Sequence, residues 1–353
     1  MPANQPRAER RPDIPWFRCG PDYPMATLEA FEDFADRLIA GATRHIPAPV
    51  LLAADAVSRR WLVRAGSPHL DEIDRIAERL ARHGAYFLSV NYEWGCTVAL
   101  RERAGRPELI RVLDWRTPGL GRYVIAADVD GPAGRFVTLT WPGYAGVLQA
   151  TAPGRFAAAI NQAPMPKTGG GLRPVDWVSN KVALWRRPGR TPAHLLRDVF
   201  ETAPDFATAL EALAGTPIAS PVIYSLAGCA PGEIAVIERT LDHSRVRQGT
   251  RAVANTWISA DWSGHPRGKD NPGRLAQFEC LKPAAVQDFA WLTPPVLNPR
   301  THLAACFTPA DGRLVAQGFE AMQPATALLH RQPAESSNAP ATASDGPRQI
   351  SPP

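Results

Sequence analysis

The sequence has no apolar run near the ~20 residues that a bilayer-crossing helix needs. It has no Asn-x-Ser/Thr acceptor, and its first 25 residues hold no apolar signal core, so a cytoplasmic location is expected. Cysteine is sparse. The five present, Cys19, Cys96, Cys229, Cys280 and Cys306, form no Cys-x-x-Cys pair, and their odd number excludes a complete disulfide framework. No pair of histidines has zinc-ligand spacing, so no metal is expected. Gly169-Gly170-Gly171 lacks the Lys-Ser/Thr of a phosphate loop and reads as flexible loop.

Lysine is scarce beside arginine, and the net charge of +5 is scattered. The densest basic runs, near Arg7–Arg11 and Arg186–Arg190, interleave no aromatics of the kind that stack on nucleic acid. They read as solvated surface, and no nucleic-acid partner is expected.

What is present is a chain of 353 residues, 45% hydrophobic, long enough for one large core or two ordinary domains. Residues 1–20 read as a flexible N-terminal tail and 331–353 as a disordered C-terminal tail. Between them, residues 21–95 are helical in pattern. Leu28, Phe31, Phe34, Ala35, Leu38 and Ile39 recur on one helix face, as do Ile73, Ile76, Ala77 and Leu80. Their apolar faces suit a lipid surface, although packing against a core is the commoner fate.

After Cys96 the period changes to two. Strands are expected at 97–103, 109–114, 122–129, 135–141, 155–161, 221–227, 233–239, 244–248, 251–255, 301–307 and 312–318. Helices are expected at 174–184, 192–201, 205–214 and 273–285. Two strand groups flanking a helical block, with links too short for crossovers, indicate an α+β fold of antiparallel sheets covered by helices.

Gly95-Cys96 is the most informative junction. A cysteine there can cut the chain before itself, and its thiol and freed α-amine then serve as nucleophile and base on one residue. Glycine before it leaves the carbonyl unshielded and permits strained φ/ψ. The bland readings are an inert buried cysteine and an ordinary turn glycine.

Several blocks then fall in order. Cys96-Thr97 is followed by Arg111-x-x-Asp114-Trp115, then Gly143-Tyr144-Ala145-Gly146 and Pro153-Gly154-Arg155-Phe156 with Asn161. Ala254-Asn255-Thr256-Trp257 follows, with Asp270 and Arg274 downstream, and Leu196–Glu201 lies between. This set resembles the acid ceramidase and N-acylethanolamine acid amidase group of N-terminal-nucleophile hydrolases, relatives of the choloylglycine hydrolases, from about Asp71 to Glu320.

The resemblance implies a four-layer αββα sandwich at 96–330, made as a precursor and cut at Gly95-Cys96, with the helical piece kept as an associated subunit. It implies Cys96 as nucleophile, Asp114 orienting its amine or thiol, and Arg111 favouring thiolate. Asn255 would be an oxyanion donor, with Arg274 holding the geometry. Asn161 would be a further polar contact, and Tyr144 and Trp141 would line an acyl pocket, although large aromatics near a sheet are more often core. The implied reaction is hydrolysis of a linear, N-acyl lipid-like amide through a thioester, with no cofactor. A bile-salt-like or acyl-amino-acid amide is a second substrate. An acyltransferase and a non-catalytic lipid-binding relative remain as alternatives.

The sequence departs from the pattern at Val98, Val112, Gln162 and Trp141-Pro142, positions near the expected pocket. Cys19 and Cys280 resemble family positions that can be disulfide-linked, although two free thiols are expected in a reducing compartment.

Overall fold

The computed structural model describes residues 10–90, 95–168, 170–187, 189–281 and 288–332. The chain opens with β1 (Trp16–Cys19) and the helices α1 (Tyr23–Ala30), α2 (Glu32–Thr43), α3 (Ala48–Arg64), α4 (Leu70–Leu80) and α5 (Ala85–Val90). Strands follow: β2 (Gly95–Arg103), β3 (Arg106–Asp114), β4 (Ile125–Gly131), β5 (Gly134–Thr140), β6 (Gln149–Ala152) and β7 (Phe156–Gln162). Then come α6 (Arg173–Arg186), α7 (Pro192–Thr202) and α8 (Phe206–Gly215), and strands β8 (Val222–Ala227), β9 (Ile234–Arg239), β10 (Ser244–Gln248) and β11 (Arg251–Val253). Helix α9 (Asn271–Glu279), β12 (Thr301–Thr308), β13 (Arg313–Glu320), β14 (Gln323–Pro324) and β15 (Leu329–Arg331) end the described fold.

Two sheets form. One runs β1-β4-β5-β6-β7-β8-β9-β10, and the other runs β11-β2-β3-β12-β13-β14, with β15 also on β13. They pack face to face through β2, β3, β7 and β8, with α7 and α8 outside the first sheet and α9 outside the second. This is the expected α+β sandwich in four layers. Burial does not alternate along the inner strands. β8 and β12 are buried at every position, because each sheet is covered on both faces. The alanines Ala157, Ala158 and Ala159 of β7 let these layers approach closely.

Two sequence expectations are corrected. Residues 16–19 are not tail but strand, paired parallel to β4 from Trp16–Ala126 to Cys19–Val129, and Trp16 Nε1 donates to Asp128 at 2.9 Å. The helical segment is also more divided than its periodicity indicates, with the 17-residue α3 between the two stretches the pattern marks. The last strand reaches Arg331, and the expected C-terminal tail from 333 onward lies outside the described residues. All five cysteines are unpaired, with Cys19 half-buried and Cys280 exposed.

The helical segment docks through buried charge. Arg197 of α7 forks onto the carboxylate of Glu72 in α4, pairs with Glu201 at 2.8 Å, and lies 4.9 Å from the Tyr23 ring centroid. Beside it, His69 Nε2 donates to Asp198 at 3.0 Å, and its ring lies 4.9 Å from that of His194. Burial, with the Arg197 and Arg190 guanidiniums adding to it, holds His69 down to about 3; burial lowers His194 as well. Both imidazoles are therefore docked neutral.

The sign follows from linkage. Between about pH 6.5 and 3 the unfolded chain binds a proton at His69 that the folded chain refuses, so stability falls as pH is lowered through that window. The slope is up to about 1.4 kcal/mol per pH unit for one such group. His69→Gln is expected to flatten the decline of the melting temperature between pH 6.5 and 4, measured by thermal unfolding of both proteins. An unchanged slope would contradict this placement of the proton.

Candidate active site

The junction singled out by the sequence sits at the start of β2, on a central strand of the second sheet. β2 and β3 are joined by a tight turn at Ala104 and Gly105, both of positive φ, and the hairpin register follows from it. Gly95 pairs with Asp114, Cys96 with Leu113, and Val98 with Arg111. Thus the three residues spaced across the turn return to one end of the sheet.

Cys96 is fully buried. Its sulfur receives a hydrogen bond from Arg111 Nη2 at 3.0 Å, and Arg111 Nη1 donates to the Ile160 carbonyl of the facing sheet at 2.6 Å. The Arg111 guanidinium therefore bridges the two sheets at the sulfur. Burial pushes the Cys96 thiol up to about 11. Arg111 and Arg274 oppose that, the Asp114 backbone amide helps them, and the Asp114 carboxylate adds to the rise. Burial also lowers Arg111 from its ordinary value.

Asn255 follows β11. Its Oδ1 accepts the backbone N–H of Cys96 at 2.7 Å, and its Nδ2 donates to the Gln162 carbonyl at 2.8 Å. The side chain thus grips the nitrogen of the Gly95–Cys96 peptide bond, an arrangement the oxyanion-donor expectation did not contain. Asn161 reaches from the other sheet, donating from Nδ2 to the carbonyls of Val253 and Ala254 at 3.2 Å each. Its Oδ1 is buried without a hydrogen-bond partner among the described residues.

Arg274, in the first turn of α9, is 1% exposed, so its charge needs partners. Nε donates to Thr97 Oγ1 at 2.8 Å, and Nη2 lies 3.2 Å from Asp114 Oδ2. Space for the guanidinium depends on Gly268. There φ is +74°, and a Cβ would come within 2.7 Å of Arg274 Nη1. Asp114 accepts from Thr301 Oγ1 and from Asn298 Nδ2, each at 2.9 Å. Burial raises its carboxyl, while Arg274, Asn298 and Thr301 act in the opposite direction. Arg111 and Asp114 are both buried, and each has its own partners.

Two sequence expectations shift here. Trp141 is 5% exposed, donates to the Leu120 carbonyl at 2.8 Å and packs edge-on to Trp115 at 6.3 Å, which makes it core and not a pocket wall. Tyr144 packs on Trp141 at 6.4 Å and lies near enough to Arg111 to act on its charge, but is not among the described residues lining the adjacent cavity. The residues missed are Asn298, Thr301 and Thr97, which hold the charged pair. The first two lie nearly 190 positions from Asp114 and carry no motif. A β-bulge between Thr301 and Leu303 marks the place, and the bulged His302 reaches the Trp115 carbonyl at 3.2 Å and Glu320 at 2.9 Å.

A cavity of about 120 Å³ opens beside this end of the sandwich, with Ile160 and Gln162 in its wall. These are the residues whose carbonyls accept from Arg111 and Asn255. The cavity is thus one hydrogen bond away from the groups touching Cys96. Among the described residues no cluster of His, Cys, Asp and Glu suits a metal ion, and no helix is long and apolar enough to cross a membrane.

No family model and no curated protein matches the sequence. Solved structures do resemble it. One is a Caenorhabditis elegans N-acylethanolamine-hydrolyzing acid amidase ortholog, 21% identical, covering 61% of this chain and 92% of its own, with a TM-score of 0.48. Another is a mutant of the conjugated bile acid hydrolase from Clostridium perfringens, 10% identical, covering 67% of this chain and 92% of its own, with a TM-score of 0.38. A variant of that hydrolase matches equally, with 96% of its own chain covered. These are likenesses of chain path at low identity. The chemistry read below rests on the side chains described above.

The Arg111 contact has a measurable consequence. Arg111→Gln removes the cation that opposes the rise of the Cys96 thiol, so the thiolate fraction at any given pH falls. Alkylation of Cys96 by iodoacetamide at pH 9, followed by peptide mass mapping, is expected to slow by roughly tenfold or more. An equal rate would show that the guanidinium does not act on the sulfur.

Proposed function

We propose that the chain is a self-processing amidohydrolase whose nucleophile is Cys96, exposed as an N-terminal residue by cleavage after Gly95. One observation supports this most directly. A single buried residue has its sulfur against a guanidinium at 3.0 Å and its backbone nitrogen against an amide oxygen at 2.7 Å. The N–H of any buried cysteine needs an acceptor, but an inert one needs no guanidinium on its sulfur. A nucleophile that must also release its nitrogen uses both.

In the cutting step the Cys96 sulfur attacks the Gly95 carbonyl carbon. The C–S bond forms, the Gly95–Cys96 C–N bond breaks, and the thiol proton passes to the nitrogen. Water then hydrolyses the thioester, leaving a Gly95 carboxylate and regenerating the thiol. Asn255 Oδ1, which accepts from the amide N–H, can equally accept from the amine that replaces it.

In the catalytic cycle the freed α-amine takes the thiol proton, acting intramolecularly at high effective molarity. Sulfur attacks the substrate amide carbon, the α-ammonium protonates the departing amine, and a thioester remains. Water, deprotonated by the same amine, releases the acid. Arg111 stabilises the thiolate, a buried charge that would otherwise be costly. Asp114, fixed through both oxygens and opposite Gly95 across the strand pair, holds the amine's position. Asn161 Oδ1, a buried acceptor without a partner among the described residues, fits a donor that arrives with cutting or with substrate. By this reading the helical segment, held through Arg197, Glu72, His69 and Asp198, remains bound after the cut. A linear amide with an apolar acyl group is the substrate. The work falls to the amine and the thiol, and the reading calls for no cofactor. Cytoplasmic residence stays with the sequence reading.

Substrate amide and enzyme mixed for seconds and quenched in acid are expected to show an acyl adduct on the peptide beginning with Cys96, followed by accumulation of free acid. Asp114→Asn is expected to lower turnover by about 10²–10⁴-fold, the range of a positioned acid–base function. Free acid without any adduct on Cys96, in a protein whose Cys96→Ala variant is equally active, would reject the reading.

A further inference from the structure

A buried histidine at this end of the sandwich stands outside the catalytic steps. His302 is the residue that the bulge adds to β12. Thr301 pairs with Asp114 and Leu303 with Leu113, so His302 has no opposite number on β3. It is 3% exposed, and its ring ends between two acceptors. Nε2 lies 3.2 Å from the carbonyl oxygen of Trp115, the residue after Asp114, and Nδ1 lies 2.9 Å from Glu320 Oε1. Close packing sets this clamp. Gly121 runs past β12 and β13, and a Cβ there would fall 2.6 Å from the His302 carbonyl oxygen.

The contacts fix the ring's protons. A carbonyl oxygen has no hydrogen to give, so Nε2 must donate. In a neutral ring Nδ1 would then turn its lone pair toward Glu320. Glu320 Oε1 is already an acceptor, taking the Gly121 N–H at 2.8 Å. Burial raises the Glu320 carboxyl, but the hydrogen bond and charge of His302, with the Gly121 and Gly119 amides, outweigh burial and hold it below its ordinary value. Both contacts are satisfied together by a ring that carries two protons, an imidazolium beside a carboxylate.

That cation acts on Asp114. Burial raises the Asp114 carboxyl, Arg274 opposes the rise, and Asn298, Thr301 and His302 act with Arg274. Among the described residues, the charged or titratable groups facing Asp114 are Arg274 from α9, Arg111 from β3, Cys96 from β2 and His302 from β12. Those facing His302 are Glu320 from β13 and Asp114 from β3. We propose that His302 is a positioning residue of the site: an imidazolium clamped between Trp115 and Glu320 that favours the ionised form of Asp114, the group that holds the Cys96 amine. This deepens the amidohydrolase reading and rests on it. A carboxylate near a cation keeps its charge to lower pH. Without His302 the proton stays on Asp114 to higher pH, and the amine loses its anchor there.

The test uses the full-length purified protein. With isotope-labelled histidine, ring-nitrogen NMR at pH 7 is expected to show both His302 nitrogens protonated, the signals being assigned by their loss in His302→Gln. Glu320→Gln keeps an oxygen for the Gly121 amide and removes the charge, and one of the two ring protons is expected to leave. With isotope-labelled aspartate, assigned through Asp114→Asn, the Asp114 carboxyl is expected to titrate about half a pH unit or more higher in His302→Gln, or in His302→Asn where the glutamine variant is unstable. A ring with one proton in the wild type, or an Asp114 midpoint unmoved by loss of His302, would overturn the inference.

Turnover of a fluorogenic long-chain acyl amide separates this inference from the parent reading. In His302→Gln the acid limb of kcat/KM is expected to move up in pH with the Asp114 midpoint, through kcat more than KM. A purely structural role would lower activity at every pH and leave the limb in place; that result sinks the positioning role and leaves the amidohydrolase reading standing. Two ring protons and a raised Asp114 midpoint, in a protein that turns over no amide, support the coupling of His302 to Asp114, and the amidohydrolase reading alone fails.

Discussion

The structure turns on a constraint at one peptide bond. Asn255 Oδ1 holds the Cys96 nitrogen while Arg111 holds the Cys96 sulfur, the one following β11 and the other on β3, the two strands that flank β2. Neither holder is free to drift. Asn255 also ties to Gln162 of the facing sheet, and Arg111 to Ile160 of the same strand. The register of β7 against β2 is therefore written into the geometry around Cys96. A slip of one residue would turn Asn161 away from β11 and move both carbonyl acceptors.

Around that bond the protein buries three charged groups, Arg111, Arg274 and Asp114. Burying them costs several kcal/mol per ion unless each is paired and hydrogen-bonded. Neighbouring side chains meet part of that need: Thr97 on Arg274, and Thr301 and Asn298 on the two oxygens of Asp114, while both Nη atoms of Arg274 make no hydrogen bond among the described residues. A core of alanine, valine and leucine would be more stable at that end of the sheet. A cluster of buried, perturbed charges of this kind is what the proposed function calls for.

Much of this was legible in the sequence, and the unread parts share a cause. Strands β2 to β5 and helices α7 and α8 are local features, fixed by periodicity and turn residues within a few positions. Cys96, Arg111 and Asp114 could be placed together because one hairpin joins them. β1 could not be read. Its four residues sit between Pro15 and Gly20-Pro21, a tail-like context, and the strand it pairs with is β4, more than a hundred residues away. Asn298 and Thr301 escaped for the same reason. Their role exists only once β12 lies beside β3. Trp141 was misread for a different reason. An aromatic near a sheet signals either a core or a pocket wall, and only the fold shows that its indole N–H is taken by the Leu120 carbonyl. The orientation of the Asn255 amide, with oxygen and not nitrogen toward Cys96, has no sequence signature at all.

The account's central claim is that Cys96 becomes the first residue of its own chain. Intact mass measurement under denaturing conditions, on purified wild type beside Cys96→Ala, examines that claim most directly. The account predicts two wild-type species meeting at the Gly95–Cys96 bond, the larger beginning with Cys96, and one uncut species for the variant. Active wild-type protein that remains a single unbroken chain would contradict it.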